Sequence, residues 1–235
     1  MSENPNRKRW SRREAIGLLS AAGAALSAAC NSSTPTSPTT TSATTTTTTT
    51  TGACTVAPSE TIGPYPSLAD FVRSDIREGK AGLPVTLAIT VVNVNSACAP
   101  VSGATVDIWQ CDADGNYSQY GSERNLTYLR GIQTTDASGL ATFTTIYPGW
   151  YQGRATHIHV EVSVNGRSVK VTQIAFPDDI TAAVYRTGVY VSSGQNPTTN
   201  ARDNVFSDGV SEELVTLVGD TSNGYAGAFR LGVAV

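Results

Sequence analysis

The segment Ile158–Val164 (IHVEVSV), the dipeptide Asn165-Gly166 and the segment Ser168–Phe176 (SVKVTQIAF) decide the fold class. Both flanks are rich in β-branched residues, which suit the pleated surface of a strand. Asn-Gly readily supplies the positive-φ positions of a tight hairpin turn, so the stretch reads as two antiparallel strands. Outward from it, similar runs occupy Val85–Val94, Ala104–Gln110, Ala141–Ile146 and Phe229–Val235. In the first of these, Val85, Leu87, Ile89 and Val91 alternate onto one face. Turn signals at Ser102-Gly103, Asp114-Gly115, Ser138-Gly139 and Pro148-Gly149 separate the runs. Short strands at this spacing predict an all-β domain, a single β-sandwich with few short helices. Helical patterns are confined to Ser67–Ile76 and Ile180–Tyr185.

The domain is expected to span 52–235. Residues 1–30 read as an export signal: Arg7, Lys8, Arg9, Arg12 and Arg13 form a basic head, and the apolar run Ala15–Ala29 is too short to span a bilayer comfortably. Ser11-Arg12-Arg13-Glu14 resembles a twin-arginine signal; an ordinary secretory signal carrying two arginines is the plainer alternative. Cys30 ends the apolar run, as in a lipoprotein processing site, although Ser27 stands where leucine is usual; simple cleavage near Ala29 is the alternative. Residues 31–51 are almost wholly Ser, Thr, Pro, Ala and Asn and close with Thr44–Thr51, a solvated linker with nothing to bury. Export makes the protein extracellular, periplasmic or cell-surface, with membrane anchoring through a lipid on Cys30.

The first 51 residues hold five of the 16 Lys+Arg and two of the 19 Asp+Glu, so the remainder carries a net charge of −6. That balance, without a basic run, argues against a nucleic-acid partner. Three cysteines follow Cys30, and export permits a disulfide. Cys54 and Cys98 both flank loop-like sequence and form the preferred pair, with Cys111 a buried thiol; Cys98–Cys111 stays open.

The chain has two histidines, His157 and His159. On a strand, residues two apart point to the same face, so their imidazoles form half of a metal site. Two polar residues on a sheet face are the plainer reading of H-x-H alone. With no third histidine, three-His zinc sites are excluded, and the remaining ligands must be carboxylate, thiolate or phenolate. Tyr151 lies just before the pair and Tyr117 further back. Phenolate is a hard anion that prefers a trivalent cation such as ferric iron, which would ionise a phenol of ordinary pKa near 10 at neutral pH. Tyr120, Tyr128, Trp109 and Arg154 all admit ordinary packing or surface roles. Asp112, Asp114 and Gly115 look like the start of a calcium loop, but the rest of its ligand spacing is missing, and a turn is the better reading.

Four strings together resemble the intradiol ring-cleavage dioxygenases: Glu60–Tyr65 (ETIGPY), Ala104–Tyr117 (ATVDIWQCDADGNY), Leu129–Gly139 (LRGIQTTDASG) and Phe143–His159 (FTTIYPGWYQGRATHIH). In order, they are most similar to the short exported branch of that family. The resemblance implies ferric iron held by Tyr117, Tyr151, His157 and His159, with Tyr151 the ligand released on substrate binding. It implies that Arg154 stabilises charge on the substrate ring and that Gln173 lies near it. Gly63, Pro64 and Tyr65 would line the pocket. The implied reaction splits a catechol-type diol between its hydroxyl-bearing carbons, using molecular oxygen, to a muconate-type diacid. The loop between Tyr151 and His157 is shorter than in protocatechuate enzymes, and the helical dimerisation segment of catechol enzymes is absent, which leaves the particular diol and the oligomeric state undetermined. Two other classes compete: a tethered β-sandwich that binds aromatic or polysaccharide ligands without reacting them, and a zinc hydrolase, which lacks both a third histidine and H-E-x-x-H.

Overall fold

A computed structural model describes residues 54–235. The export signal, Cys30 and the linker lie outside the described residues. The strands are β1 (Pro84–Asn93), β2 (Ala99–Pro100), β3 (Thr105–Trp109), β4 (Arg130–Thr134), β5 (Leu140–Ile146), β6 (His157–Val164), β7 (Arg167–Ala175), β8 (Thr216–Asp220) and β9 (Gly224–Val233), with one helix, α1 (Asp178–Val184). In the first sheet β1 pairs parallel with β9 and antiparallel with β5 and the short β2, and β8 lies outside β9. The second sheet runs β4-β3-β6-β7, all antiparallel. The all-β class is as expected, and Asn165-Gly166 turns the β6–β7 hairpin.

Period-two alternation positions everything that follows. Val85, Leu87, Ile89 and Val91 of β1 pack in one core with Val106 and Ile108 of β3 and Ile158, Val160 and Val162 of β6. The two sheets therefore share an interior. The alternate residues of the second sheet, Trp109, His157, His159 and Gln173, face away from it. They are nonetheless buried, because the chain before β1, through Thr61, Gly63 and Tyr65, and the loops after β3 and β5 cover that outer face.

That covering segment corrects one expectation. Ser67–Ile76 is not a helix. It runs past the edges of both sheets, bridging Val72 to Ile132 of β4 and Asp75 to Thr144 of β5. Both strands are edges with unpaired backbone groups, and the passing chain satisfies them: Ile132 N donates to Phe71 O, and Thr144 N to Ser74 O. The Ile180–Tyr185 pattern does fall on α1, with Asp178 and Asp179 in its first turn, where the helix dipole favours negative charge. Strands β4 and β8, and the two-residue β2, escaped the sequence reading. In β4, Gly131 interrupts any apolar alternation because Ile76 packs where its side chain would stand. In β8 most residues are exposed.

Cys54 is joined to Cys98, tying the start of the cover to the turn after β1. Cys111 is a buried free thiol.

Candidate metal centre

The two histidines stand side by side on β6, and their neighbours hold them rigidly. Trp109, paired opposite His159 across the ladder, stacks flat on its ring, with centroids 5.0 Å apart and planes within 3°. Gly63 of the cover lies against the same ring. A Cβ there would come to 2.8 Å from His159 Cε1, and φ is +75°, so glycine alone lets the cover approach this closely. His157 Nδ1 lies 2.6 Å from the Ala155 carbonyl and donates to it. That fixes the tautomer and leaves Nε2 as a lone pair. It faces Nε2 of His159 at 3.1 Å.

Tyr117 follows a turn in which Asp112 Oδ1 accepts from the backbone of Asp114 and Asn116. The acidic string there is thus a turn, and Lys80 pairs with the other Asp112 oxygen at 2.7 Å. Tyr151 sits on the loop between β5 and β6. The two loops are locked backbone to backbone. Gly149 N donates to Asp112 O at 3.1 Å, and a side chain at Gly149 would strike that carbonyl, as one at Gly115 would strike the carbonyl of Trp150. The tyrosine rings consequently meet edge to face, 5.7 Å apart. Tyr151 Oη lies 3.3 Å from His157 Nε2. The Tyr117 hydroxyl is buried with no hydrogen-bond partner.

Arg154 closes the group. Its Nη1 lies 3.4 Å from Tyr151 Oη, and its Nη2 donates to Gln173 Oε1 at 2.5 Å. Gln173 is paired opposite His159 on β7 and donates to the Thr61 carbonyl at 2.9 Å. Tyr65 stacks on Tyr117 with centroids 4.6 Å apart, and exposed Pro64 stands between it and Gly63. Tyr65, Tyr117 and Tyr120 line an adjoining cleft.

Burial sets the protonation of these groups. It pushes His157 down to about 3, helped by the Arg154 charge, and holds His159 well below the ordinary range. Both imidazoles are neutral at pH 7 and able to ligate. Burial raises both phenols, with Arg154 pulling each back. His157 Nε2 and His159 Nε2 meet at 3.1 Å, with Tyr151 Oη 3.3 Å from His157 Nε2 and the Tyr117 hydroxyl buried without a partner, a gathering of donor atoms that a cation would take up. Two neutral nitrogens with two potential phenolates fit a hard trivalent ion, and ferric iron satisfies that donor set.

A protein-family model described as Dioxygenase matches residues 65–195, more than half of the chain. The chain belongs to the intradiol ring-cleavage dioxygenase family. The match includes Tyr117, Tyr151, Arg154, His157, His159 and Gln173. A solved intradiol ring-cleavage dioxygenase from Tetranychus urticae is 29% identical with a TM-score of 0.70, covering 77% of this chain and 95% of that one. The dioxygenase domain of a dioxygenase–carbohydrate-binding fusion from Streptomyces sp. SirexAA-E is 30% identical with a TM-score of 0.60, covering 77% of this chain and 99% of that domain. Among curated relatives, 6-chlorohydroxyquinol 1,2-dioxygenase of Cupriavidus pinatubonensis is 28% identical over 119 residues, 43% of this chain and 42% of its own length. The chain thus spans less than half the length of that curated relative.

Three further residues of this family member serve the site and were not assigned to it from sequence. Asp203 is buried and accepts from Arg154 Nε through both oxygens, at 3.1 and 2.9 Å, and from Ala155 N at 2.6 Å. No local pattern marks it, since it lies 49 residues from its partner. Arg130 of β4 is fully buried and donates to the Tyr65 and Ser118 carbonyls, bracing the Tyr117 loop. Trp109, read as a packed residue, is buried on the metal side rather than in the main core.

Proposed function

We propose that this domain binds ferric iron through Tyr117, Tyr151, His157 and His159 and splits catechol-type diols between the hydroxyl-bearing carbons. The observation that carries the reading is the facing pair of neutral histidine nitrogens beside the orphaned Tyr117 hydroxyl and Tyr151. Catechol, chlorocatechol and hydroxyquinol enzymes among the relatives support the substrate class.

Ferric iron held there would supply Lewis acidity toward a bound diol. The protein's own groups do the rest. Tyr151, as a phenolate, would accept a proton from an incoming substrate hydroxyl. Arg154, fixed by Asp203 on one side and Gln173 on the other, stabilises negative charge developing on the ring. Trp109 and Gly63 keep the His159 ring from rotating. The cover formed by Gly63, Pro64 and Tyr65 limits water. The net reaction adds both atoms of molecular oxygen and yields a diacid.

Iron-loaded protein should show a broad visible phenolate-to-iron band that moves to longer wavelength with catechol. The product should be the muconate-type diacid. A colourless iron-loaded protein, or a semialdehyde from cleavage beside the hydroxyls, would overturn the assignment.

Export, by the twin-arginine route with a lipid on Cys30, is part of the same proposal and rests on residues 7–30. Replacing Arg12 and Arg13 by Lys should block export, and Cys30→Ala should release protein from the membrane fraction. Unchanged cell fractionation in either variant contradicts the corresponding step.

A further inference from the structure

A second group of ligands, without histidine or tyrosine, lies behind Gln173. Glu60 belongs to the cover, where its backbone N–H donates to Val171 O on β7. Glu213 precedes β8, and its carbonyl accepts from Ala175 N at the end of β7. Asp208 lies on the loop between them. One carboxylate oxygen from each of the three falls within 4.8 Å of the others. Glu213 is fully buried. Its Oε1 accepts from Thr172 Oγ1 at 3.0 Å, and its Oε2 has no partner. Glu60 is half-buried and Asp208 exposed, so the cluster opens to water on one side.

Nothing among the described residues neutralises this group by contact. Lys170 is nearby, but its ammonium is committed to Ala57 O at 2.7 Å and Ser59 Oγ at 2.8 Å. Three converging carboxylates, one of them wholly buried with an unused oxygen, are strongly disfavoured without a cation. Consistently, burial and mutual repulsion raise Glu60 and push Glu213 up to about 7.

We propose that Glu60, Asp208 and Glu213 form a second metal site, for a hard divalent cation of the calcium class. The donors are all oxygen, which disfavours zinc, copper and ferrous iron. They come from separate segments with one open side, so water completes the shell. Calcium accepts such irregular shells with ligands at about 2.3–2.6 Å, whereas magnesium demands a near-ideal octahedron at about 2.0–2.1 Å. An ion there clamps the cover to the loop before β8. It thereby steadies Thr61, whose carbonyl holds Gln173. This proposal does not depend on the iron chemistry.

The test uses iron-loaded protein freed of weakly bound cations, followed by thermal unfolding against added calcium or magnesium chloride. Calcium should raise the melting temperature saturably, with a midpoint at about 0.1–1 mM, and magnesium should do so far less. Asp208→Asn, at an exposed position, should weaken the midpoint at least about tenfold by removing one of three charged ligands. Glu213→Gln should abolish the response, and iron content should be unchanged in both variants. If Glu213→Gln does not fold, Asp208→Asn still decides the matter. A melting temperature indifferent to calcium up to about 10 mM, or an Asp208→Asn midpoint equal to that of the original protein, overturns the site. So does stabilisation that appears only on acidification through pH 7, which would mean that Glu213 is relieved by a proton.

Discussion

At the scale of single residues, the metal ligands and their supports should fail in different ways. Tyr117→Phe removes the proposed anionic ligand, whose hydroxyl is buried without a hydrogen-bond partner. Iron content and the visible band should both fall, as metal analysis and absorption spectra of the same sample would show. Arg154→Ala should leave the band nearly intact and slow turnover, because in the proposed mechanism the arginine meets developing charge rather than metal. The loss is about 3 kcal/mol, or roughly a hundredfold in rate. Asp203 acts through that arginine by holding Nε. Asp203→Asn should therefore depress turnover in the same direction but less, roughly tenfold, or about 1.4 kcal/mol. Its KM should change little if it only positions Arg154. Steady-state kinetics beside the band intensity separate this from general unfolding, which would abolish both.

At the scale of elements, the centre depends on two loops held in contact by glycine. Gly149 packs against the Asp112 carbonyl with no room for a methyl group. Gly149→Ala must push the Tyr151 loop from the Tyr117 loop or strain the backbone, at a cost of about 1–3 kcal/mol. Denaturant unfolding should register that loss, and the iron band should shift or weaken because the two phenols no longer converge. An unchanged band with unchanged stability would mean that the loops are not coupled in this way. The same logic explains why the helix expected at Ser67–Ile76 does not form. Local pattern competes there with the exposed edges of β4 and β5, and edge pairing satisfies more backbone groups than a short isolated helix could.

At the scale of the whole molecule, two features govern stability. The Cys54–Cys98 bond closes a loop across 44 residues and anchors the cover over the outer face. Replacing both cysteines by serine should cost about 2–4 kcal/mol, seen as a lower melting temperature. Reduction should weaken only the original protein. The second feature is Asp107, where burial and the Glu161 charge across the ladder push the carboxyl up to about 7. Its folded pKa exceeds its unfolded value, so between about pH 4 and 7 the folded chain binds more protons and stability falls as pH rises. Asp107→Asn removes that penalty. It should stabilise the fold at pH 8 by roughly 1–3 kcal/mol, reduced by partial solvent access, and little at pH 4. Equal effects at both pH values would place the cause elsewhere.

Local information determined the β class, the β6–β7 hairpin and the placing of His157 and His159 on one face. Alternation and an Asn-Gly turn act over a few residues and need no partner to be read. The assignment of Tyr117, Tyr151 and Arg154 came from ordered strings that resemble the family, because local chemistry alone does not separate Tyr117 from Tyr120 or Tyr128. What only the tertiary structure decided has long reach. The path of the chain before β1 along the edges of β4 and β5, the bracing of Arg154 by Asp203 and the meeting of Glu60 with Asp208 and Glu213 each join residues tens of positions apart. Those contacts are selected by burial and by unsatisfied edges and charges that exist only once the two sheets have packed.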